Sequence, residues 1–178
     1  MATYSKDQTK PSIRLRGLIL TGLLTALVFV ATMSLHIPNG VGGVIHLGDG
    51  MLYLAAIVFG WKYGAASGAI GMSLFNILSP YAIWAPYTFV IKGLMGIVVG
   101  TIAWSGGHKG KNLQHNIIAM IAGGIIMIVG YYFAEWMITG SPFAPMASII
   151  GNVLQATGST AVAIPLITAL RRIKLFDV

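Results

Sequence analysis

Four polar side chains, Ser148, Asn152, Gln155 and Ser159, recur at i, i+4, i+7 and i+11 in a stretch that is otherwise apolar. That spacing puts all four on one face of a helix. Hydroxyls and amides on one stripe can hydrogen-bond a polar ligand or a neighbouring helix, and both readings are open. Similar groups stand in other apolar stretches. Trp84, Thr88 and Lys92 follow one another at single-turn spacing, with Tyr81 and Tyr87 close by. Glu135 comes four and three residues after Tyr131 and Tyr132 and directly before Trp136. His46 and Asp49 stand at the mouth of one stretch, and Asn76 lies near the end of the next. Aromatic faces, amides, a cation and carboxylates are what a small, flat, polar ring compound needs for recognition. The plainer alternatives are that Lys92 forms a structural ion pair with Asp49 or Glu135, that Glu135 is hydrated near an interface, and that Trp84 and Trp136 belong to an aromatic belt.

Reactive chemistry has much less support. The chain has no G-x-x-x-x-G-K-[ST] phosphate loop, and Gly106-Gly107-His108-Lys109-Gly110-Lys111 has the wrong spacing for one. It has no nucleophile elbow, no H-E-x-x-H and no paired catalytic carboxylates, so an enzyme is not expected. There are no cysteines, which excludes disulfides and thiolate metal sites. His36 and His46 lack a surrounding ligand cluster, and His108 and His115 fall in a connector. No cofactor or metal is expected.

The elements that position these groups are six apolar stretches, at about 14–35, 47–60, 63–79, 82–104, 116–138 and 143–170. A helix needs about 20 apolar residues to cross a bilayer core. The second and third stretches are short; the others are long enough. The basic start and the first run together imitate a signal peptide, but the run is longer than an apolar signal core and more spans follow it. It reads as a retained first helix. Ten of the eleven Lys and Arg residues flank these stretches on one side: Lys6, Lys10, Arg14 and Arg16; Lys62; Lys109 and Lys111; and Arg171, Arg172 and Lys174. The connectors around 36–48, 79–84 and 139–143 have none. Basic loops stay in the cytoplasm, so both termini are expected there. The eleventh cation, Lys92, lies inside a stretch. The expected fold is therefore an all-α integral membrane protein, a single six-helix domain over 1–178 with cytoplasmic tails at 1–13 and 171–178.

Composition agrees. Hydrophobic residues make up 56% of the chain and charged residues 8%, against about 25% charged in soluble domains. A net charge of +7 would suggest nucleic acid in a soluble chain. Here the cations form flanks, which suit anionic lipid headgroups or a cytoplasmic partner, and no nucleic-acid partner is expected. The location expected is a cell membrane, multi-pass, in a bacterium.

Small residues stand at helical spacing: Gly64, Gly68 and Gly71; Gly93, Gly96 and Gly100; and, on the first helix, Gly17, Thr21 and Thr25 with Gly22 and Ala26 beside them. Such stripes let backbones approach closely in lipid. Most should pack inside the bundle, whereas the first-helix stripe could instead face another protein. With the orientation above, the polar inventory falls in the outer half of the membrane, while the inner halves of the fourth and fifth stretches are Ile, Val, Met, Gly and Ala. A channel needs polar lining through its full depth. This pattern describes a cup, open outside and closed inside, with the connector Pro38-Asn39-Gly40-Val41-Gly42-Gly43 able to fold back over it.

The run from Leu47 to Gly100 resembles the membrane-embedded substrate-binding subunits (S components) of energy-coupling factor transporters. It is most similar to the vitamin-precursor type, which takes hydroxymethylpyrimidine or pyridoxine, and to riboflavin-type relatives. The matching pieces are Leu47-Gly48-Asp49, Phe59-Gly60, Gly64-Ala65, Gly68-Ala69, Ala85-Pro86 and Ile91-Lys92-Gly93-Leu94. Asn76 and Met95 stand where relatives often carry acidic residues, so no ligand identity carries over from one relative. The resemblance implies capture of a vitamin from outside, association with a transmembrane coupling protein (EcfT-like) and two cytoplasmic ATPases (EcfA-like), and toppling to release the ligand. It implies that Gly22 and Ala26, with Thr25 alongside, meet the coupling protein. The substrate-binding set expected is Asp49, Trp84, Tyr87, Thr88, Lys92, Tyr132, Glu135, Asn152 and Gln155. The alternative is a stand-alone, ion-coupled carrier of a small polar solute.

Overall fold

The computed structural model describes residues 13–38 and 43–172. The N-terminal tail to residue 12, the connector tip 39–42 and the tail from 173 lie outside the described residues, and with them Lys6, Lys10 and Lys174. Six α-helices form one bundle: α1 Ile13–Ser34, α2 Gly48–Phe59, α3 Trp61–Ile77, α4 Ala85–Trp104, α5 Leu113–Thr139 and α6 Met146–Arg172. Helices α1, α4, α5 and α6 are long and apolar enough to cross a membrane. The chain is a multi-pass membrane protein.

The expected stretches and the observed helices agree to within a few residues, with one correction to the all-α expectation. The connector after α1 is a short antiparallel hairpin, β1 His36–Pro38 against β2 Val44–His46, with His36 opposite His46. It folds back over the bundle and is anchored where the Leu47 amide donates to the Leu35 carbonyl at 3.3 Å. Pairing satisfies backbone groups that would otherwise be costly beside the bilayer.

Helix α2 is the centre of the bundle, packed against α1, α3, α4 and α6. Ten of its twelve residues are buried, as befits a helix that is apolar all round. At about 1.5 Å per residue it is about 18 Å long, too short to cross alone. Its first turn, with Asp49, therefore begins inside the bundle, and the hairpin fills the depth above. Gly60, at φ +98°, is in the left-handed region that favours glycine, and it reverses the chain between α2 and α3 in one residue. The small faces do what their spacing predicts. A Cβ on Gly64 or Gly68 would run into Ala56 or Leu52 of α2, one on Gly71 into α1 at Thr25 and Val28, and ones on Gly96 and Gly100 into α3.

On α1 the face turned inward is Leu24, Val28 and Thr32. Thr25 lies beside it, its carbonyl against Gly71. Gly22 and Ala26 are exposed, and nothing lies within 4 Å of the place a Gly22 Cβ would take. Of the two readings of that stripe, bundle packing fails for Gly22 and Ala26.

Candidate functional site

One polar cleft lies at the hairpin end, between β2, the C-terminal end of α3 and the near ends of α4, α5 and α6. Its lining is Gly43, Val44, His46, Asn76, Tyr81, Trp84, Thr88, Tyr131, Asn152 and Gln155. Each wall follows from local structure. The 3₁₀ turn Ala82–Trp84 leads into α4 with Pro86 in its first turn, where a proline costs no hydrogen bond. The turn holds Trp84 buried with its ring 6.0 Å from that of Tyr131. Tyr81 stacks on Phe75 at 6.2 Å. Asn76 Nδ2 donates to Thr88 Oγ1 at 2.7 Å, and Thr88 Oγ1 shares a 3.0 Å hydrogen bond with the Tyr131 hydroxyl. This chain of contacts ties α3, α4 and α5 together along one side of the cleft.

The opposite side comes from α6. Gln155 accepts from the His46 main-chain amide at 3.0 Å through Oε1, and its Nε2 donates to Asp49 Oδ2 at 2.6 Å. Its amide orientation is thus fixed by a donor on one atom and an acceptor on the other. Asp49 Oδ1 accepts from Lys92 Nζ at 2.7 Å, and both side chains are 0% exposed. The ammonium also lies 5.2 Å from the centre of the Tyr131 ring, within cation–π range. Asp49 sits in the first turn of α2, where the helix dipole favours an anion. Of the alternatives for Lys92, the partner is Asp49; Glu135 is not in contact with it.

Below this pair the bundle is filled by Tyr53 and Ile57 of α2, Met95 and Val99 of α4, and Met120 and Met127 of α5, each 0% or 1% exposed. The cleft has no continuation through that packing. Its free volume is about 30 Å³, room for about one or two waters.

His46 stands in the hairpin, and burial pulls its imidazole down to about 4, with Asp49 opposing and the positive charge of Lys92 acting in the same direction. Its Nδ1 is buried without a partner among the described residues, an arrangement that only the neutral ring tolerates well.

The structure brings Trp84, Thr88, Asn152 and Gln155 of the expected set together around the cleft. The Asn152 side-chain amide lines it with no hydrogen-bond partner among the described residues. Asp49 and Lys92 stand directly behind the lining, joined to it through Gln155 and Tyr131. Tyr87, Tyr132 and Glu135 are not part of the lining. Tyr87 packs on the hydrophobic core, the Tyr132 hydroxyl donates to the Pro142 carbonyl at 2.9 Å, and Glu135 is buried near the end of α5. Ser148 and Ser159 of the α6 stripe are buried with hydroxyls that find no partner among the described residues. Tyr131, Asn76, Tyr81 and His46 also line the cleft; they stand among the polar and aromatic groups named from the sequence, but the expected binding set omits them. Tyr131 was legible, because it continues the inward line Met120, Gly123, Gly124 and Met127 of α5.

Three comparisons bear on what the cleft serves. The family model described as "ECF-type riboflavin transporter, S component" matches residues 12–172. A protein of Pyrococcus woesei described as an "Uncharacterized protein in gap 3'region" is 32% identical over 130 residues, covering 72% of this chain and 84% of that protein. The "Thiamine precursor transporter HmpT" of Lactococcus lactis subsp. cremoris (strain MG1363) is 26% identical over 155 residues, covering 86% of this chain and 88% of that protein.

Proposed function

The chain belongs to the family of ECF-type riboflavin transporter S components, and on that premise we propose that it captures a small ring-containing vitamin or vitamin precursor, of the hydroxymethylpyrimidine or pyridoxine type, from outside the cell. A coupling protein and two ATPases then drive its delivery inward. The observation that carries this reading is the unpartnered Asn152 amide, set in an aromatic cleft between Trp84, Tyr81 and Tyr131. An amide offers one donor and one acceptor side by side, which matches the edge of an aminopyrimidine or hydroxypyridine ring. The aromatic rings offer faces for the same ligand. The name of the Lactococcus relative points to the same ligand class.

In this reading Asn152 and Gln155 bond the ligand edge, Trp84 and Tyr131 stack on its face, and Thr88 and Asn76 orient it. Asp49 and Lys92 hold Gln155 and close the floor. A cleft of about 30 Å³ is about tenfold smaller than ordinary ligand sites. Ligand entry therefore requires its walls to part, and in this reading β2, joined to α6 by the His46–Gln155 hydrogen bond, is the wall that yields. Gly22 and Ala26, exposed on α1, meet the coupling protein. In this reading both termini and Lys109 and Lys111 are cytoplasmic; a single cysteine at the exposed Ser105, in the same connector, should resist an impermeant thiol reagent in intact cells, and labelling there would reverse the orientation.

The function is tested by binding and reconstitution. Quenching of tryptophan fluorescence in the purified protein should report tight binding of hydroxymethylpyrimidine or pyridoxine. Vesicles containing this chain alone should not accumulate the ligand under an ion gradient, and accumulation should begin once coupling protein, ATPases and ATP are added. Uptake by the chain alone under a proton or sodium gradient would replace this reading with that of an ion-coupled carrier.

A further inference from the structure

A second cavity, of about 290 Å³, opens at the other end of the bundle, between the first turns of α5 and the last turns of α6. Its walls are apolar: Leu113 and Met120 on one side, Ile164 and Ile167 on the other. Lys111, Arg171 and Arg172 border it. The only carboxylates among the described residues, Asp49 and Glu135, belong to the first turn of α2 and the last turns of α5, toward the hairpin end. Among the described residues, this end therefore carries cations and no carboxylate.

Asn116 supplies an independent sign of a ligand. It borders the cavity at 5% exposure, and its Nδ2 donates to the Gly110 carbonyl at 2.9 Å. Its Oδ1 is buried with no partner among the described residues. A buried amide oxygen left unpaired is costly, and this one lacks a hydrogen-bond donor. The site thus combines cations for a phosphate, an acceptor for a hydroxyl and an apolar slot between two membrane helices. We propose that this cavity binds an anionic phospholipid with a hydroxylated headgroup, of the phosphatidylglycerol class. The phosphate lies against Lys111 and Arg172, a headgroup hydroxyl donates to Asn116 Oδ1, and the first part of an acyl chain lies between α5 and α6. Basic pockets between membrane helices suit such headgroups. Arg171 acts differently. It donates to the Ile57 carbonyl at the end of α2 at 2.9 Å and to the Lys109 carbonyl, which fixes the basic wall to the bundle.

The test is native mass spectrometry of the purified full chain with phosphatidylglycerol or phosphatidylcholine of matched acyl chains. Phosphatidylglycerol should be retained at least about tenfold more tightly. Lys111→Gln/Arg172→Gln should reduce its retention about tenfold or more, from two interfacial cations. Thr168→Trp, at an exposed position bordering the cavity, should reduce retention with every charge intact by filling the slot. Binding of the vitamin ligand at the hairpin end should be unchanged in both, which shows the fold is kept. Equal retention of the two lipids would overturn the proposal. So would loss in the double variant but not in Thr168→Trp, which would indicate diffuse surface attraction. Displacement by glycerol 3-phosphate would assign the site to a soluble phosphate, and intact lipid binding with loss of the coupling protein in the double variant would assign it to that protein.

Discussion

Removing Lys92 tests the floor of the cleft most directly. Lys92→Met deletes the only cation paired with Asp49 in the described structure and leaves a carboxylate, 0% exposed, held by the Gln155 amide at 2.6 Å and the start of α2. Breaking one half of a buried pair costs about 3–5 kcal/mol. Asp49→Leu leaves the ammonium with the Tyr131 ring at 5.2 Å, a contact worth up to about 2 kcal/mol when desolvated, but it also strands Gln155 Nε2, so its cost should stay within the same range. The double variant Asp49→Leu/Lys92→Met removes both charges, and well-packed apolar replacements for a buried pair are often neutral or better. What it still loses is an acceptor for Gln155 Nε2, whose remaining neighbour is Met127 Sδ at 3.4 Å, about 1–3 kcal/mol. The singles together should therefore exceed the double by about 4 kcal/mol or more. In a chain of 178 residues, each single should lower the melting temperature by about 10 °C, and the double by clearly less than either. The assay is thermal unfolding of ligand-free protein in one detergent, with ligand titration of the folded fraction. If Lys92→Met melts like the wild type yet loses the ligand, Lys92 touches ligand and the floor argument fails. Additive singles would also refute it.

Three further outcomes rest on the same geometry. Asn152→Ala should weaken ligand binding about ten- to a hundredfold with no loss of stability, because its amide has no partner to strand, whereas Gln155→Ala should lose both affinity and stability through Asp49 and His46; isothermal titration and melting curves separate the two. With His46 held at about 4 when folded against 6.5 unfolded, the unfolded chain binds more protons between those values, so stability should be full above about 6.5 and fall by up to about 3 kcal/mol as pH drops toward 4. His46→Gln, which keeps the main-chain bond to Gln155, should flatten that part of the melting-temperature profile, and an unchanged slope would place its origin elsewhere. Gly22→Trp or Ala26→Trp should leave ligand affinity intact and abolish ATP-driven uptake with weaker copurification of the coupling protein; joint loss of stability and ligand binding would show that this face packs internally.

The helices were legible because their signal is local. Apolar length and small residues at four-residue spacing identified α1, α4, α5 and α6 and the faces where Gly64, Gly68, Gly96 and Gly100 pack. The hairpin was not legible: His36–Pro38 and Val44–His46 are three residues each, too short for a two-residue period to register. Choosing Tyr132 over Tyr131 was an error of helical phase. Adjacent residues differ by about 100°, and only the line through Gly124 and Met127 separates them. The partner of Lys92 was undecidable for a different reason. Asp49 and Glu135 lie 43 residues away on either side. Only the central placement of α2, a consequence of global packing, brings Asp49 under Lys92.

That central placement also constrains how a bound ligand could leave. Between the Asp49–Lys92 pair and the basic end lie Tyr53, Met95, Val99 and Met120, all essentially buried. The α2 terminus below them is sealed by Trp104 Nε1 at 3.0 Å and Arg171 Nη2 at 2.9 Å, both donating to the Ile57 carbonyl. A polar ring moving straight through would have to part this packing and expose an ion pair to hydrocarbon, each step costing several kcal/mol. Leaving by the cleft it entered requires only that β2 yield. Net transport through one mouth is possible only if that mouth comes to face the other compartment. Reorientation of the whole bundle achieves this while leaving the core intact, at the cost of moving charged flanks through the membrane interface. A protein embedded in lipid has no internal source for that work. ATP-driven partners supply it in the proposed reading, and the exposed Gly22–Ala26 face is where such work can be applied without disturbing the cleft.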